Sequence, residues 1–538
     1  MTEYRLHGPP GTGKTRALAE NWVPKAAKKF GSDRVVICSL TRTAAAEIGS
    51  RDLPIPKENI GTLHALAYRS LGKPEIAEGN LEDWNEREPS FRISGGRASA
   101  DEPEGRSERG GIGDTLSALA QVYRHNRTPR EHWRQDVQVF QKHWDAWLAD
   151  KDLVDFTGLV EQALELVEYA PNDPAVFIVD EAQDSSVLEL DLVRKWNQHA
   201  EYAVLAGDGD QAIYGWRGAS ARAFLGSDIP ADNNYHLTRS YRVPKAVHEV
   251  ASKWINKASY RYAVEYEPRN FIGEVVTSAG SSRNVEPLVA EACKDVEQGK
   301  TVMILATCGY MLKGVQAVLR REGIPFHNPF REKHGGWNPL RGGAGRLLAY
   351  LRPDEVTWPG ENRVWNWREA AIWTEAVKAK IALAAHGKTY IKQCSQDPET
   401  EFDQIDEGDG QAVFGKEGWA ALKAAFSSPD PLPWLEERLL ASKAKLFEYP
   451  LAIARKRGRH ALREEPKICI GTVHSVKGGQ ADSVYLLPDL SPSSIREWVQ
   501  PGEARDGIIR TFYVGMTRAK EKLVLGGRWS ASSVDWRH

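Results

Sequence analysis

The sequence predicts an α/β fold with parallel sheets, and three segments carry that expectation. The first is Gly8-Pro9-Pro10-Gly11-Thr12-Gly13-Lys14-Thr15, which matches G-x-x-x-x-G-K-[ST] at every position. The second is Val176-Phe177-Ile178-Val179-Asp180-Glu181, an apolar run that ends in adjacent carboxylates. The third is Val204-Leu205-Ala206-Gly207-Asp208-Gly209-Asp210-Gln211, another apolar run that ends in a polar turn. Continuous apolar strands suit a sheet buried on both faces, and ligands gather at the carboxyl ends of such strands.

Each segment has a chemical reading. The glycines of Gly8–Thr15 let backbone N–H groups curl around a phosphate. Lys14 reaches terminal phosphates, and the Thr15 hydroxyl is offered to Mg²⁺. Tyr4 to His7 is the short strand expected before this loop, and Thr15 to Lys29 the helix expected after it, with Leu18, Trp22 and Ala26 on one side. Of the two carboxylates, Asp180 can hold the metal, and Glu181 can orient or deprotonate an attacking water. Acids are also common at a helix N-terminus, so this pair gains its meaning from the glycine-rich loop. Together the two imply binding and hydrolysis of a nucleoside triphosphate. Gln211 is placed to sense a terminal phosphate. Just beyond it, Tyr214, Trp216 and Arg217 gather two aromatic faces and a cation, which suits stacking on unpaired bases.

Composition narrows the class without deciding it. The 538 residues correspond to three or four domains at about 150 residues each. With Lys and Arg at 71 against Asp and Glu at 73, the net charge of −2 excludes a histone-like polycation but leaves room for a local basic groove. The five cysteines include no C-x-x-C pair, so a disulfide framework, a zinc ribbon and an iron–sulfur cluster are all poorly supported. The N-terminus lacks a signal-like apolar stretch, and no run reaches the ~18 apolar residues of a membrane span. A soluble intracellular protein in a reducing compartment is expected.

Eight motifs in order resemble those of the superfamily 1 DNA helicases of the UvrD/Rep/PcrA type, in a compact form, and span residues 8 to 520. After the glycine-rich loop come Ser39-Leu40-Thr41-Arg42-Thr43-Ala44-Ala45, Gly61-Thr62-Leu63-His64 and Asp180-Glu181-Ala182-Gln183-Asp184. The Gly207-to-Ala219 block and Leu237-Thr238-Arg239-Ser240-Tyr241-Arg242 follow. Gly471-Thr472-Val473-His474-Ser475-Val476-Lys477-Gly478-Gly479 and Tyr513-Val514-Gly515-Met516-Thr517-Arg518-Ala519-Lys520 complete the set.

The resemblance implies two RecA-like P-loop lobes with parallel sheets, each carrying a mainly helical insertion, and ATP with Mg²⁺ in the cleft between the lobes. It assigns residues 1–69 and 173–240 to the first lobe and 70–172 to its insertion, with a loop expected to be mobile over 85–114. Residues 241–328 and 466–538 form the second lobe, and 329–465 its insertion. Within the cleft, Lys14, Thr15, Asp180, Glu181 and Gln211 come from the first lobe. Arg242 and Arg518 come from the second as charge-stabilising fingers, a task suited to a planar fork of donors. Tyr241 and Arg16 would sandwich the base, and Gln480 would bond a ribose hydroxyl. Thr41, Arg42, Thr62, His64, His474 and Lys477 match the family's DNA-backbone positions, alongside Tyr214, Trp216 and Arg217. Satisfied structural roles compete closely for His64 and His474.

Three features depart from the family pattern. Only seven residues precede Gly8, so the adenine-reading glutamine motif is expected to be absent and ATP preference relaxed. Leu40 stands where a base-stacking Phe is common, and Gly479-Gln480-Ala481 replaces Leu-Glu-Phe. In the second insertion, Trp358, Trp365, Trp367 and Trp373 at helical spacing read as core, and Arg455-Lys456-Arg457-Gly458-Arg459 as either a phosphate grip or a solvated face.

The function implied is an ATP-dependent DNA helicase or single-stranded-DNA translocase moving 3′ to 5′. It would act on single strands and single-/double-strand junctions, in repair, replication or recombination. The alternatives are a translocase that remodels protein–DNA complexes without efficient unwinding, and a regulatory ATPase subunit beside a nuclease or repair protein. The twenty residues after Arg518 suggest that no nuclease is attached. A monomer or weak oligomer in the cytoplasm of a bacterium, chromosomally or phage encoded, completes the expectation.

Overall fold

The computed structural model describes residues 2–39, 45, 48–94, 111–226, 229–330, 337–352 and 364–536. The segment around Thr41 and Arg42, the centre of the 85–114 loop, and Trp358 therefore lie outside the described residues. The chain divides into two compact units. One comprises Met1–Leu312, Phe330–Glu332 and Ile470–His538, and the other Lys313–Pro329 and Lys333–Cys469.

The first unit holds two parallel sheets. The first has six strands: β1 (Thr2–His7), β2 (Val35–Ser39), β3 (Ile60–Thr62), β4 (Val176–Asp180), β5 (Tyr202–Gly207) and β6 (Asn234–His236), in the order β3-β2-β4-β5-β1-β6. A short pair follows, β7 (Arg239–Pro244) with β8 (Glu267–Arg269). The second sheet contains β9 (Glu274–Thr277), β10 (Val302–Ala306), β12 (Ile468–Thr472), β13 (Ala481–Leu486) and β14 (Ala519–Leu525), ordered β12-β10-β13-β14-β9 in this unit. Strand β12 begins in the other unit, where its first residues pair in parallel with β11 (Phe326–His327).

Burial explains why β4 reads as a continuous apolar run. Phe177 and Val179 join one core cluster with Val36, Cys38 and Leu205, while Val176 and Ile178 join another with Val35, Ile37 and Val204. Both faces of the strand are covered, so neither tolerates a polar residue until Asp180 at its carboxyl end. The register aligns Ser39 with Asp180 and His7 with Gly207. The glycine-rich loop, the carboxylates and the Asp208 turn consequently emerge at one edge.

The helix after the loop is interrupted. Lys14–Ala17 continues through a wide turn at Leu18–Trp22 into Val23–Phe30. Pro24 has no N–H to return to the Glu20 carbonyl, which accounts for the wide turn at that point.

Within the 70–172 segment, Trp84, Trp133, Phe140, Trp144 and Trp147 form a separate core. The expected 85–114 loop is ordered at both described ends, which corrects that expectation in part. Asn85 lies in the helix Leu81–Arg87, and its side chain bonds both the N–H and the carbonyl of Ile93. Trp84 donates to the Phe91 carbonyl, and Gly111 opens the helix Ile112–His125.

The second unit is mainly helical. Trp365, Trp367 and Trp373 are buried there, with Trp365 donating to the Tyr350 carbonyl at 2.9 Å. The basic run lies at and just beyond the end of the helix Ala441–Arg457 and makes contacts inside the unit. Arg455 pairs with Glu436, Lys456 with Glu322 at 2.9 Å, and Arg457 and Arg459 donate to the carbonyls of Gly323 and Leu351. Cations at a helix C-terminus are favourable without any ligand.

Candidate functional site

The glycine-rich loop owes its shape to a few backbone positions. Gly11 and Gly13 have φ of 77° and 82°, where only glycine sits without strain. At Gly11 there is also no room, since a Cβ would stand 2.6 Å from the Cβ of Arg242. Lys14 is buried and donates to the Gly8 carbonyl at 2.7 Å, so the loop holds its own ammonium over the space that it encloses. A turn of N–H groups around one cation is a phosphate-sized cradle.

Facing the loop, the Thr15 hydroxyl donates to Asp180 Oδ2 at 2.8 Å. Asp180 is fully buried, and burial together with the Glu181 charge raises its pKa well above the usual carboxylate range. Burial also acts on Glu181, but the charges of Lys14 and Lys477 outweigh it and keep that carboxyl below its ordinary value. The backbone of Glu181 is left-handed at φ 54°, a conformation costing a non-glycine residue about 1–2 kcal/mol. Strain of this kind concentrates where a side chain must be aimed. The aim is set by Gln183, which donates to Glu181 Oε2 at 2.5 Å and accepts the Asp208 N–H at 2.9 Å.

Among the described residues, no group of three or more His, Cys, Asp or Glu is arranged to hold a metal alone. The hydroxyl of Thr15 and the carboxylate of Asp180 nevertheless form an oxygen-donor pair that suits Mg²⁺, which takes few protein ligands beside phosphates and water.

The lobe containing the second sheet closes the other side. Arg518 is 2% exposed and donates to the side-chain carbonyl of Gln211 at 3.0 Å. Burial and then Arg242 lower its pKa to about 9, so it stays cationic near neutrality. Arg242 donates to Gln480 at 3.0 Å. Two hydroxyls, Ser240 Oγ and Tyr266 Oη, converge on the Pro10 carbonyl at 2.9 Å each. The base side differs: the Arg16 and Tyr241 side chains are exposed, with Arg16 held by Glu20 at 2.9 Å.

The residues proposed for DNA divide into two groups. Lys477 lies inside the cleft, with its ammonium 2.5 and 2.7 Å from the Asp184 oxygens and 2.9 Å from the Gln211 carbonyl. His474 is buried too and pairs with the Ile213 carbonyl at 3.1 Å; burial lowers its pKa to about 4, so it is neutral. Tyr214 is buried against the His474 ring at 5.8 Å. Trp216 is only partly buried and meets His474 edge-on at 6.3 Å, while Arg217 is exposed with its guanidinium 5.8 Å from the Tyr214 ring. Thr62 caps the helix Leu63–Ser70 through a bond from the Ala65 N–H, and His64 lies 3.9 Å from Glu189. Thr41 and Arg42 lie outside the described residues.

Sequence reasoning passed over Gln183, Asp208, Ser240, Tyr266 and Arg261 as site residues. The first three stand in quoted motifs, and their polar character beside the catalytic candidates was a usable signal. Tyr266 and Arg261 carry no motif, and only folding brings them in.

Comparison with known proteins identifies two family domains in the chain. The UvrD/REP helicase N-terminal domain matches residues 3–229, and the UvrD-like helicase C-terminal domain matches residues 445–527. The ATP-dependent DNA helicase PcrA of Staphylococcus aureus (strain Mu50 / ATCC 700699) is 24% identical over 367 residues, covering 64% of this chain and 50% of the relative. PcrA of Leuconostoc citreum is 24% identical over 291 residues, 50% of this chain and 39% of that protein. A probable DNA helicase of Mycoplasma pneumoniae is 22% identical over 281 residues, 45% of this chain and 51% of that protein. The chain thus spans about half the length of the S. aureus relative. With both domains in family order around the cleft described above, the chain belongs to the UvrD-type helicase family.

Proposed function

We propose that the chain is an ATP-dependent DNA helicase or single-stranded-DNA translocase that requires Mg²⁺ and moves 3′ to 5′. One observation carries the hydrolytic part. The Thr15–Asp180 bond at 2.8 Å and the Arg518–Gln211 bond at 3.0 Å bring phosphate-handling groups of both lobes to one cleft. Lys14 holds the terminal phosphates, and Thr15 and Asp180 hold the cation, which supplies charge neutralisation at the phosphate oxygens when bound. Glu181 is kept ionised by Lys14 and Lys477, as a general base requires, and orients a water. Arg518 and Arg242 stabilise the charge that develops in the transition state.

The nucleic-acid part rests on the family and on the partly open aromatic segment. Trp216 and Arg217 supply stacking and charge to an unpaired strand, and by family position Thr62, His64, Thr41 and Arg42 are the further contacts to its backbone. Tyr214 and His474 act from behind as the packed support of Trp216. Substrates are single-stranded DNA and its junctions with duplex, and the setting is the bacterial cytoplasm. Among the described residues no helix is long and apolar enough to cross a membrane.

The test is hydrolysis of ATP with and without single-stranded DNA, beside strand separation on 3′- and 5′-tailed duplexes and displacement of streptavidin from an end-labelled strand. DNA-stimulated hydrolysis with unwinding of the 3′-tailed substrate is expected. Displacement without strand separation would instead assign the remodelling translocase, and hydrolysis indifferent to DNA would overturn the nucleic-acid part.

A further inference from the structure

The Asp208-to-Gln211 turn is gripped from the second lobe by a residue that no motif contains. Arg261 places Nε 3.0 Å from both oxygens of Asp210 and Nη2 2.5 Å from Oδ2, a two-pronged pair with little exposure. The loop that presents Arg261 is anchored at several points. Asp506 accepts the N–H and hydroxyl of Ser259 and the N–H of Tyr260, and Arg510 donates to the Tyr260 carbonyl at 2.8 Å. Asn256 takes the remaining prong of the guanidinium. Asp506 and Arg510 lie on the helix Glu503–Met516, two residues before Arg518. Arg518 follows that helix directly and donates back to its Val514 carbonyl at 3.0 Å, so the same helix anchors the loop of Arg261 at one end and Arg518 at the other.

The turn in turn touches both halves of the hydrolytic site. Asp208 accepts from the Gln211 side chain at 2.6 Å and from the Asp210 N–H at 3.0 Å. The Asp208 N–H donates to Gln183, which holds Glu181. Rotation of this single turn would shift Gln211 and Glu181 together.

We propose that Arg261 is a positioning residue for the hydrolytic step, locking the Asp208–Gln211 turn in register with Arg518 by its forked pair with Asp210. The inference rests on the hydrolytic reading above. The guanidinium of Arg261 is taken up by Asp210 and Asn256, so its loss should lower turnover while leaving nucleotide affinity largely intact. A misplacement of about 1 Å at such a site can cost on the order of a hundredfold, so a loss of tenfold or more is expected.

The experiment measures DNA-stimulated ATP turnover, fluorescent-nucleotide affinity and thermal unfolding in the whole chain for Arg261→Gln, Asp210→Asn, the double variant and the swap Arg261→Asp/Asp210→Arg. Lys14→Ala is the inactive control. The expected result is a similar fall in kcat for both single variants, no further fall in the double, and partial recovery in the swap at unchanged affinity. Arg261→Lys keeps the charge without the fork and should fall between. Wild-type turnover in either single variant, or losses that multiply in the double, would overturn the proposal. A common loss of unfolding temperature and nucleotide affinity would reduce Arg261 to a structural pair and overturn it as well. If the unaltered chain hydrolyses nothing that Lys14→Ala does not, the hydrolytic reading fails instead.

Discussion

The two ends of the nucleotide cleft are built to different standards. At the phosphate end Lys14, Asp180, Gln211 and Arg518 are all buried, and each is held by a hydrogen bond. At the base end the Arg16 and Tyr241 side chains are about two-thirds exposed. Burial multiplies the strength of charge pairs and fixes their geometry, whereas an exposed pair is loosened by water and salt. On the proposed reading, the difference teaches that a cleft can be preorganised for phosphate chemistry and loosely built for choosing a base.

The largest test of that contrast removes the phosphate clamp. Lys14→Ala should reduce turnover to background, at least a thousandfold by the usual reach of transition-state electrostatics (~4 kcal/mol or more). Wild-type turnover in that variant would show that the buried end is not the reacting end. Glu181→Gln should follow, keeping nucleotide binding while cutting hydrolysis by about 10²–10⁴, the span of general-base catalysis. Equal loss of binding would mean that Glu181 mainly shapes the loop.

Substitution at the base end should do much less. Tyr241→Ala should raise KM for ATP about five- to tenfold, the lower end of the ~1–3 kcal/mol of one stacking interaction because the ring is exposed, with kcat little changed. GTP should be hydrolysed within the same order of magnitude as ATP. Strict ATP preference would show that some further group reads the base and would break the contrast.

The smallest expected effect concerns acidity. Burial lowers the pKa of His7, His125 and His474 to about 4. In the unfolded chain these rings protonate near 6.5, so below that pH the unfolded state takes up the protons first. Stability should therefore be complete above about pH 6.5 and fall as the pH drops towards 4, by at most about 3 kcal/mol per ring at 1.36 kcal/mol per unit. Urea unfolding at a series of pH values checks this. His474→Gln should flatten the acid limb, and an unchanged slope would remove His474 from the account.

Much of the site could be read directly because phosphate chemistry places strict demands on short segments. A loop that cradles an anion needs glycines at positive φ, and a strand buried on both faces needs an unbroken apolar run before its carboxylates. For that reason Gly8–Thr15 and Val176–Glu181 announced both their structure and their position in it. The residues proposed for DNA were less legible. Lys477 and His474 carry donors that suit a phosphate backbone, yet their burial against Asp184 and Ile213 depends on residues 293 and 261 positions away. The same is true of the basic run near Arg457, whose cations meet carbonyls and acids of their own unit.

By itself, then, the sequence determined the glycine-rich loop, the strand that ends in paired carboxylates and the family, since each of those motifs works through local geometry within a few residues. Only the tertiary structure decided which cations face inwards, which aromatic rings stay open, and that Arg261 reaches Asp210 from 51 positions away. Such pairings are set by long-range packing and desolvation, and a chain's local pattern contains neither.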